Sequence, residues 1–223
     1  VIGCCPIVSP LRYAPEATAV LMETTRQGLI GDIAIAAQAG ATAPAALAGA
    51  LVQSVAETLA ALMVVNLVRP GHPMSFGLWP FVSDLRTGAF SGGGGEQALL
   101  MAAAAQIAHY YQLPGSVGAG MTDAKMPDNQ AGFEKGISVA LAALAGGNYI
   151  SEVAGMLASL IGCSFEAIVI DNDMLGVIQR VLRGIEVSDE TLSLDVIRGA
   201  VDGPGHYLAA GQTISLARSE YLY

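Results

Sequence analysis

Apolar runs of strand length alternate with helix-length segments about five times along this chain, and that alternation limits the possible folds more than any other feature. Residues 1–8 form the first run, and Pro15 with Glu16 opens a helix that Gly28 ends. Residues 32–37 read as a second strand, after which Pro44 opens a helix and Pro70-Gly71 stops it. A third strand lies within residues 73–81. Glu96 sits in the first turn of a helix reaching about residue 111, where a carboxylate favours the positive end of the dipole. Residues 116–121 make a fourth strand, Asp128 caps a helix to about residue 145, and residues 148–153 make a fifth strand. Residues 165–183 form a helix closed by Gly184, and Ser188, with Asp189 and Glu190 behind it, caps one more.

Strict alternation implies a parallel sheet covered on its faces by helices, and such a sheet buries most of its strands. This accounts for a composition that is 53% hydrophobic and only 13% charged. Doubly wound sheets and closed barrels share the pattern. No dinucleotide fingerprint follows the first strand and the units are regular, which favours a (β/α)8 TIM barrel. Residues 1–223 are then a single domain, a partial barrel of about five strand-helix units. Such a piece lacks the strands needed for closure and is expected to expose apolar edges.

The apolar excess also raises a membrane reading. Residues 43–68 have spanning length, but they carry Gln53, Glu57 and Asn66 and lack basic flanks, so no membrane association is expected. No basic segment precedes the first apolar run, so no signal peptide is read, and the missing initiator methionine suggests part of a longer protein. Cys4, Cys5 and Cys163 have neither disulfide nor zinc spacing and read as buried thiols in a reducing cytoplasm. A net charge of −9 disfavours nucleic acid as a partner. It suits a cationic ligand or a basic partner, and a homo-oligomer is compatible with it.

In either architecture chemistry gathers where strands end and helix-leading loops begin. That rule selects Gln38 after strand two, Phe76, Trp79 and Phe81 at strand three, Gly120 to Lys125 at strand four, and Glu152 at strand five. The aromatic residues serve equally as a roof or as faces for a quaternary ammonium group. Asp123 and Lys125 read either as a solvated pair or as part of the site. Glu152, between apolar neighbours, needs a partner or a cation. The run Gly92–Gly95 lacks the GK[ST] of a phosphate loop and reads as a turn or lid. His72, His109 and His206 are scattered, so no metal site is expected. The residues alone suggest a barrel with an aromatic, acidic mouth suited to a small organic cation, and they do not name a reaction.

The segments "DAKMPDNQAGFEK" at 123–135, "AGMLASLIG" at 154–162, "VIDND" at 169–173 and "SDETLSLDVI" at 188–197 carry a closer message. Together with "PAALAGAL" at 44–51 and "SDLRTGAFSGGGGEQAL" at 83–99, they resemble the trimethylamine:corrinoid methyltransferase family. The likeness covers nearly the whole chain and corresponds to the C-terminal part of a family member. It implies a (β/α)8 barrel that moves a methyl group from an amine to the cobalt of a separate corrinoid (cobalamin) protein, with no cofactor bound directly. It also implies that Gly120 stands where the archaeal trimethylamine enzymes have pyrrolysine. A glycine there cannot form the adduct that gives a tertiary amine quaternary character. The expected substrate is therefore a quaternary amine such as glycine betaine, with Phe76, Trp79 and Phe81 facing the cation and Glu152 or Asp123 adding charge. Lys125 and Gln38 are then candidates to meet a betaine carboxylate, and Gly120 is expected to leave open the space that pyrrolysine fills. The alternatives are a tertiary amine donor, or a non-catalytic betaine-binding paralogue.

Overall fold

The computed structural model of the chain describes residues 2–221. Its first unit runs to Leu175 and its second begins at Gly176. In the first unit β1 (Ile2–Cys4) is followed by a hairpin of β2 (Ile7–Val8) and β3 (Arg12–Tyr13). The expected first strand is thus split, because Pro6 has no N–H to give to a ladder; its Val1 lies outside the described residues. Helix α1 (Pro15–Arg26) has Pro15 at its start, Glu16 in its first turn and Arg26 in its last, and Gly28 follows at a φ of +76°.

Next come β4 (Gly31–Ile33), β5 (Gln38–Ala39) and α2 (Leu47–Val68). Helix α2 is the one helix among the described residues long and apolar enough to cross a membrane. One side of it is built for a protein core. Glu57 is buried there, and its carboxylate accepts from Ser9 Oγ at 2.7 Å, the Leu11 N–H at 2.8 Å and Gln53 Nε2 at 3.0 Å. Pro80 divides the expected third strand into β6 (Met74–Gly77) and β7 (Phe81–Ser83). Then follow β8 (Phe90–Ser91), α3 (Gly95–Tyr110), β9 (Gly115–Gly118) and α4 (Asn129–Leu144). Asp128 caps α4 as expected, accepting from the Ala131 N–H at 3.1 Å. The series ends with β10 (Tyr149–Ser151), the hairpin strands β11 (Met156–Leu157) and β12 (Gly162–Cys163), and α5 (Phe165–Arg183).

Strands β1, β4, β6, β9 and β10 form one sheet in that order, every pair parallel. Neighbours in space are neighbours in sequence, the order produced by repeated strand-helix units. Ile33 and Met74 meet Leu21 of α1 and Ala61 and Val65 of α2 in a shared core. One position along, Asp32 and Ser75 take the opposite face, where the Ser75 hydroxyl donates to the Asp32 carboxylate. The sheet is open, with β1 and β10 as its edges.

A smaller sheet of β5, β7 and β8 extends from the loops beyond the C-terminal ends of these strands. Gln38 is paired with Phe81, and Ser83 with Phe90. This sheet is absent from the sequence-based expectation, and it carries much of the mouth.

The second unit holds the last turns of α5 and the short helices α6 (Leu194–Val201) and α7 (Gly211–Leu216). Ser188 does not start a helix. Its hydroxyl accepts from the Thr191 N–H at 3.2 Å and caps a turn, and α6 begins only after Ser193. Cys5 and Cys163 are exposed rather than buried as expected, and the Cys5 thiol donates to the Ile7 carbonyl at 3.6 Å; the Cys4 side chain lies outside what is described.

Candidate functional site

Because the five main strands are parallel, their C-terminal ends meet at one side of the sheet, and the first unit concentrates its polar side chains there. The floor is made by β9. Its Ser116 and Gly118 lie on the face opposite the helical core, and Trp79 covers both. The indole N–H donates to Ser116 Oγ at 3.3 Å. A Cβ at position 118 would stand 2.8 Å from a ring carbon of Trp79, so only glycine lets the indole lie flat there.

From Trp79 an aromatic row continues along the small sheet. Phe81 is edge-on to Trp79 at 6.3 Å between centroids, and Phe90 is edge-on to Phe81 at 4.8 Å. Phe90 was missed by sequence reasoning, since only pairing of β7 with β8 brings it here. Phe76 does not join the row. It is fully buried and packs its ring 5.5 Å from that of Tyr111, at the C-terminal end of α3. It belongs to the core, a correction that follows from its place in the alternating strand pattern.

The two mouth carboxylates have opposite fates. Asp123 is fully engaged. Ser91 Oγ donates to its Oδ2 at 2.6 Å, the N–H groups of Gly92 and Gly93 donate to Oδ1 at 2.7 and 3.1 Å, and the Ser159 hydroxyl also donates to Oδ1. Burial pushes this carboxyl's pKa up, but the hydrogen bonds from Ser159, Ser91, Gly92 and Gly93 outweigh burial and hold it below the ordinary value. Glu152, directly after β10, takes no hydrogen bond or ion pair among the described residues although it is half-buried. The strand register sets Ser151 beside Gly118, which places Glu152 next to the part of the floor that Trp79 covers.

Lys125 is exposed, and its Nζ donates to the Asp123 carbonyl at 2.6 Å. The Gln38 side-chain oxygen accepts from Ser83 Oγ at 2.9 Å. Neither bonds Asp123's carboxylate; Gln38 lies on β5 and Lys125 on the loop after β9.

Gly120 differs from expectation in one respect. It does not leave an open space. Its φ is +96°, and a Cβ there would stand 2.6 Å from Val153 Cα and 2.8 Å from the Glu152 carbonyl oxygen. The backbone after β10 already fills the volume that a side chain at 120 would enter. Glu152 bends into this position with a φ of +68°, a left-handed conformation that costs a non-glycine residue about 1–2 kcal/mol.

The residues between Gly120 and α4 are held from below. Glu134 of α4 accepts from Thr122 Oγ1 at 2.5 Å, the Asp123 N–H at 2.9 Å and Gln130 Nε2 at 2.9 Å. Lys135, next to it, is fully buried and donates to Asp171 Oδ2 of α5 at 2.6 Å; that carboxylate also accepts from the Gly155 N–H at 2.7 Å. Lys135, Ser159 and Asp171 were not selected from the sequence. They sit in the quoted segments, but on helix interiors or in a hairpin, where the strand-end rule does not look.

Among the described residues no group of three or more His, Cys, Asp and Glu could hold a metal ion. A cavity of about 430 Å³, lined by Asp32, Met74, Ser75 and Tyr149 among others, opens at the other ends of the strands and is separate from the mouth.

An aromatic row, a carboxylate without a partner among the described residues and a glycine-rich loop thus gather at the C-terminal edge of a parallel α/β sheet, the edge at which proteins of this class hold small ligands. The comparisons carry this further: the chain belongs to the trimethylamine methyltransferase family, whose sequence model, Trimethylamine methyltransferase (MTTB), matches residues 1–223. It is 39% identical over 95% of its length to trimethylamine methyltransferase MttB of Methanosarcina thermophila, covering 43% of that protein. It is 33% identical over 96% of its length to glycine betaine methyltransferase of Desulfitobacterium hafniense (strain Y51), covering 44% of it. Another MttB, of Desulfitobacterium hafniense (strain DSM 10664 / DCB-2), is 34% identical over 97% of this chain and 43% of its own. The chain therefore spans less than half the length of the curated relatives it matches.

Proposed function

We propose that this chain forms about five units of a (β/α)8 barrel, in an enzyme that transfers a methyl group from a quaternary amine of the glycine betaine kind to a corrinoid protein. The observation that carries this reading is the closed space at Gly120, where the backbone of residues 152–153 leaves no room for an activating side chain. A quaternary amine needs no such group. When its methyl group is displaced, the C–N bond breaks, the electron pair stays on nitrogen and a neutral amine leaves.

The reduced corrinoid, held by its own protein, is the nucleophile that receives the methyl group. No residue of this chain is assigned to the corrinoid itself. What the chain supplies is position and charge. Trp79, with Phe81 and Phe90 behind it, offers aromatic faces to the cation, worth roughly 0.5–2 kcal/mol per good contact. Glu152 offers a carboxylate that has no partner among the described residues. Gln38 and Lys125 are the candidates to meet a betaine carboxylate. A reduced acceptor fits a cytoplasmic reaction.

A second reading keeps a tertiary amine as donor, and the higher identity to the M. thermophila trimethylamine methyltransferase favours it. The test follows the visible spectrum of a Co(I) corrinoid protein as the intact protein is given trimethylamine, glycine betaine and other quaternary amines in turn. Loss of the Co(I) spectrum with quaternary amines alone supports the proposal. Loss with trimethylamine supports the second reading. Amine binding without any spectral change points to a non-catalytic binding protein.

A further inference from the structure

We infer that Asp123 is a positioning residue: its ionised carboxylate clamps three mouth loops together and does not itself meet the amine. The inference rests on the methyl-transfer reading above, but its geometry stands independently of it.

The hairpin between β11 and β12 turns through Ala158, Ser159 and Leu160, with φ of +51°, +54° and +72°. Three consecutive left-handed residues without a glycine do not hold themselves in that shape, so the surroundings must determine it. They do so from the loop after β9. The Ala158 N–H donates to the Ala124 carbonyl and the Ser159 N–H to the Thr122 carbonyl, both at 2.8 Å. Between these two anchors the Ser159 hydroxyl reaches the Asp123 carboxylate. The same carboxylate holds Ser91 and the Gly92 and Gly93 amides, directly after the strand that carries Phe90. One side chain thus joins the loops after β8 and β9 and the turn between β11 and β12.

Most of the acceptor capacity of this carboxylate is committed to the loops. Oδ1 already takes three hydrogen bonds, and Oδ2 takes the Ser91 hydroxyl. Neighbouring carboxylates do not share the load: Glu134 is committed to Thr122, the Asp123 N–H and Gln130. The clamp sets where the aromatic row and the backbone over Gly120 stand, and through them the alignment of the methyl group.

Two variants of the intact protein separate this role from direct binding. Asp123→Ala removes every acceptor. Asp123→Asn keeps an oxygen for the three Oδ1 donors, and its amide faces a Ser91 hydroxyl able to rotate and accept. In hydrogen exchange, the amides of Gly92, Gly93, Ala158 and Ser159 should speed up roughly 10- to 100-fold in Asp123→Ala, with Asp123→Asn recovering most of the loss. Amides in the middle of α4 should be unchanged. In methyl transfer, the rate constant kcat should fall by roughly 10- to 100-fold with the amine KM moving less than about threefold, because alignment is lost and no amine contact is. A raised KM with unchanged exchange would overturn the inference and make Asp123 a ligand of the cation. Unchanged exchange in both variants would also overturn it. If Asp123→Ala does not fold, Asp123→Asn still decides between the two kinetic patterns. If the wild-type protein transfers no methyl group, the proposed function fails while the exchange result still decides the clamp.

Discussion

Replacing Gly120 with alanine tests the closed space at the mouth most directly. Two costs act together. A φ of +96° lies in the left-handed half of the map, where a Cβ costs roughly 1–2 kcal/mol. The new methyl would also stand 2.6 Å from Val153 Cα and 2.8 Å from the Glu152 carbonyl oxygen. Those are backbone atoms and cannot rotate away, so overpacking adds roughly 1–3 kcal/mol. The sum, roughly 2–5 kcal/mol, is a large share of the 5–15 kcal/mol that a typical domain possesses. In a protein of about 150–250 residues that lowers the melting midpoint by roughly 4–20 °C, and by proportionately less in a longer protein. Thermal melts and urea titrations of the intact protein measure it, the urea slope serving to show that cooperativity is kept. Gly132→Ala is the control, since Gly132 lies in α4 with nothing within 4 Å of the added methyl, and that change should stabilise by roughly 0.5–1 kcal/mol. A Gly120→Ala protein that melts within a degree of the wild type would refute the reasoning and restore an open space at position 120.

Three further changes probe other parts of the structure. Lys135→Met leaves the Asp171 carboxylate buried without its cation and should cost roughly 3–5 kcal/mol, whereas Lys135→Met with Asp171→Leu should recover most of it; a denaturant double-mutant cycle measures the difference. Asp123 has a folded pKa below its unfolded value of about 3.8, so its stabilisation is present above that value and disappears as pH falls through the folded pKa. Melting midpoints should therefore fall less steeply below pH 4 in Asp123→Asn than in the wild type, and parallel curves would contradict the sign of the shift. Trp79→Ala should weaken quaternary amine binding roughly 10-fold or more, read by calorimetry, and unchanged affinity would remove the indole from the site.

Helices were legible because their ends are written in local chemistry. Helix α5 runs from Phe165 to Arg183 and stops at Gly184, and α4 starts behind its Asp128 cap, both as read from the residues. The parallel order of the sheet followed from alternation. Strands were read too long wherever a proline interrupts the ladder, at Pro6 and Pro80. The small sheet of β5, β7 and β8 stayed hidden because its pairings are nonlocal and only two or three residues long. Phe76 illustrates the limit of a strand-end rule: a shift of one residue sends a side chain to the other face, so adjacency to Trp79 in sequence carried no promise of adjacency in space.

The carboxylates show why composition overstated the acidity of the mouth. Asp123 and Glu152 look alike in sequence, each an acid just past a strand end. What separates them is the number of donors brought to each by distant segments. Asp123 receives four, from residues about thirty positions away on either side, while Glu152 receives none among the described residues. An acid that is already satisfied holds loops, and an acid left half-buried without a partner still attracts a cation. The same reasoning places Lys135 and Glu134, neighbours in one quoted segment, on separate tasks: one anchors α5 through Asp171 and the other holds the loop that contains Asp123. The segments that carry the family likeness are thus mostly the framework of the mouth, and the candidate ligand contacts, Trp79 and Glu152, lie just outside them.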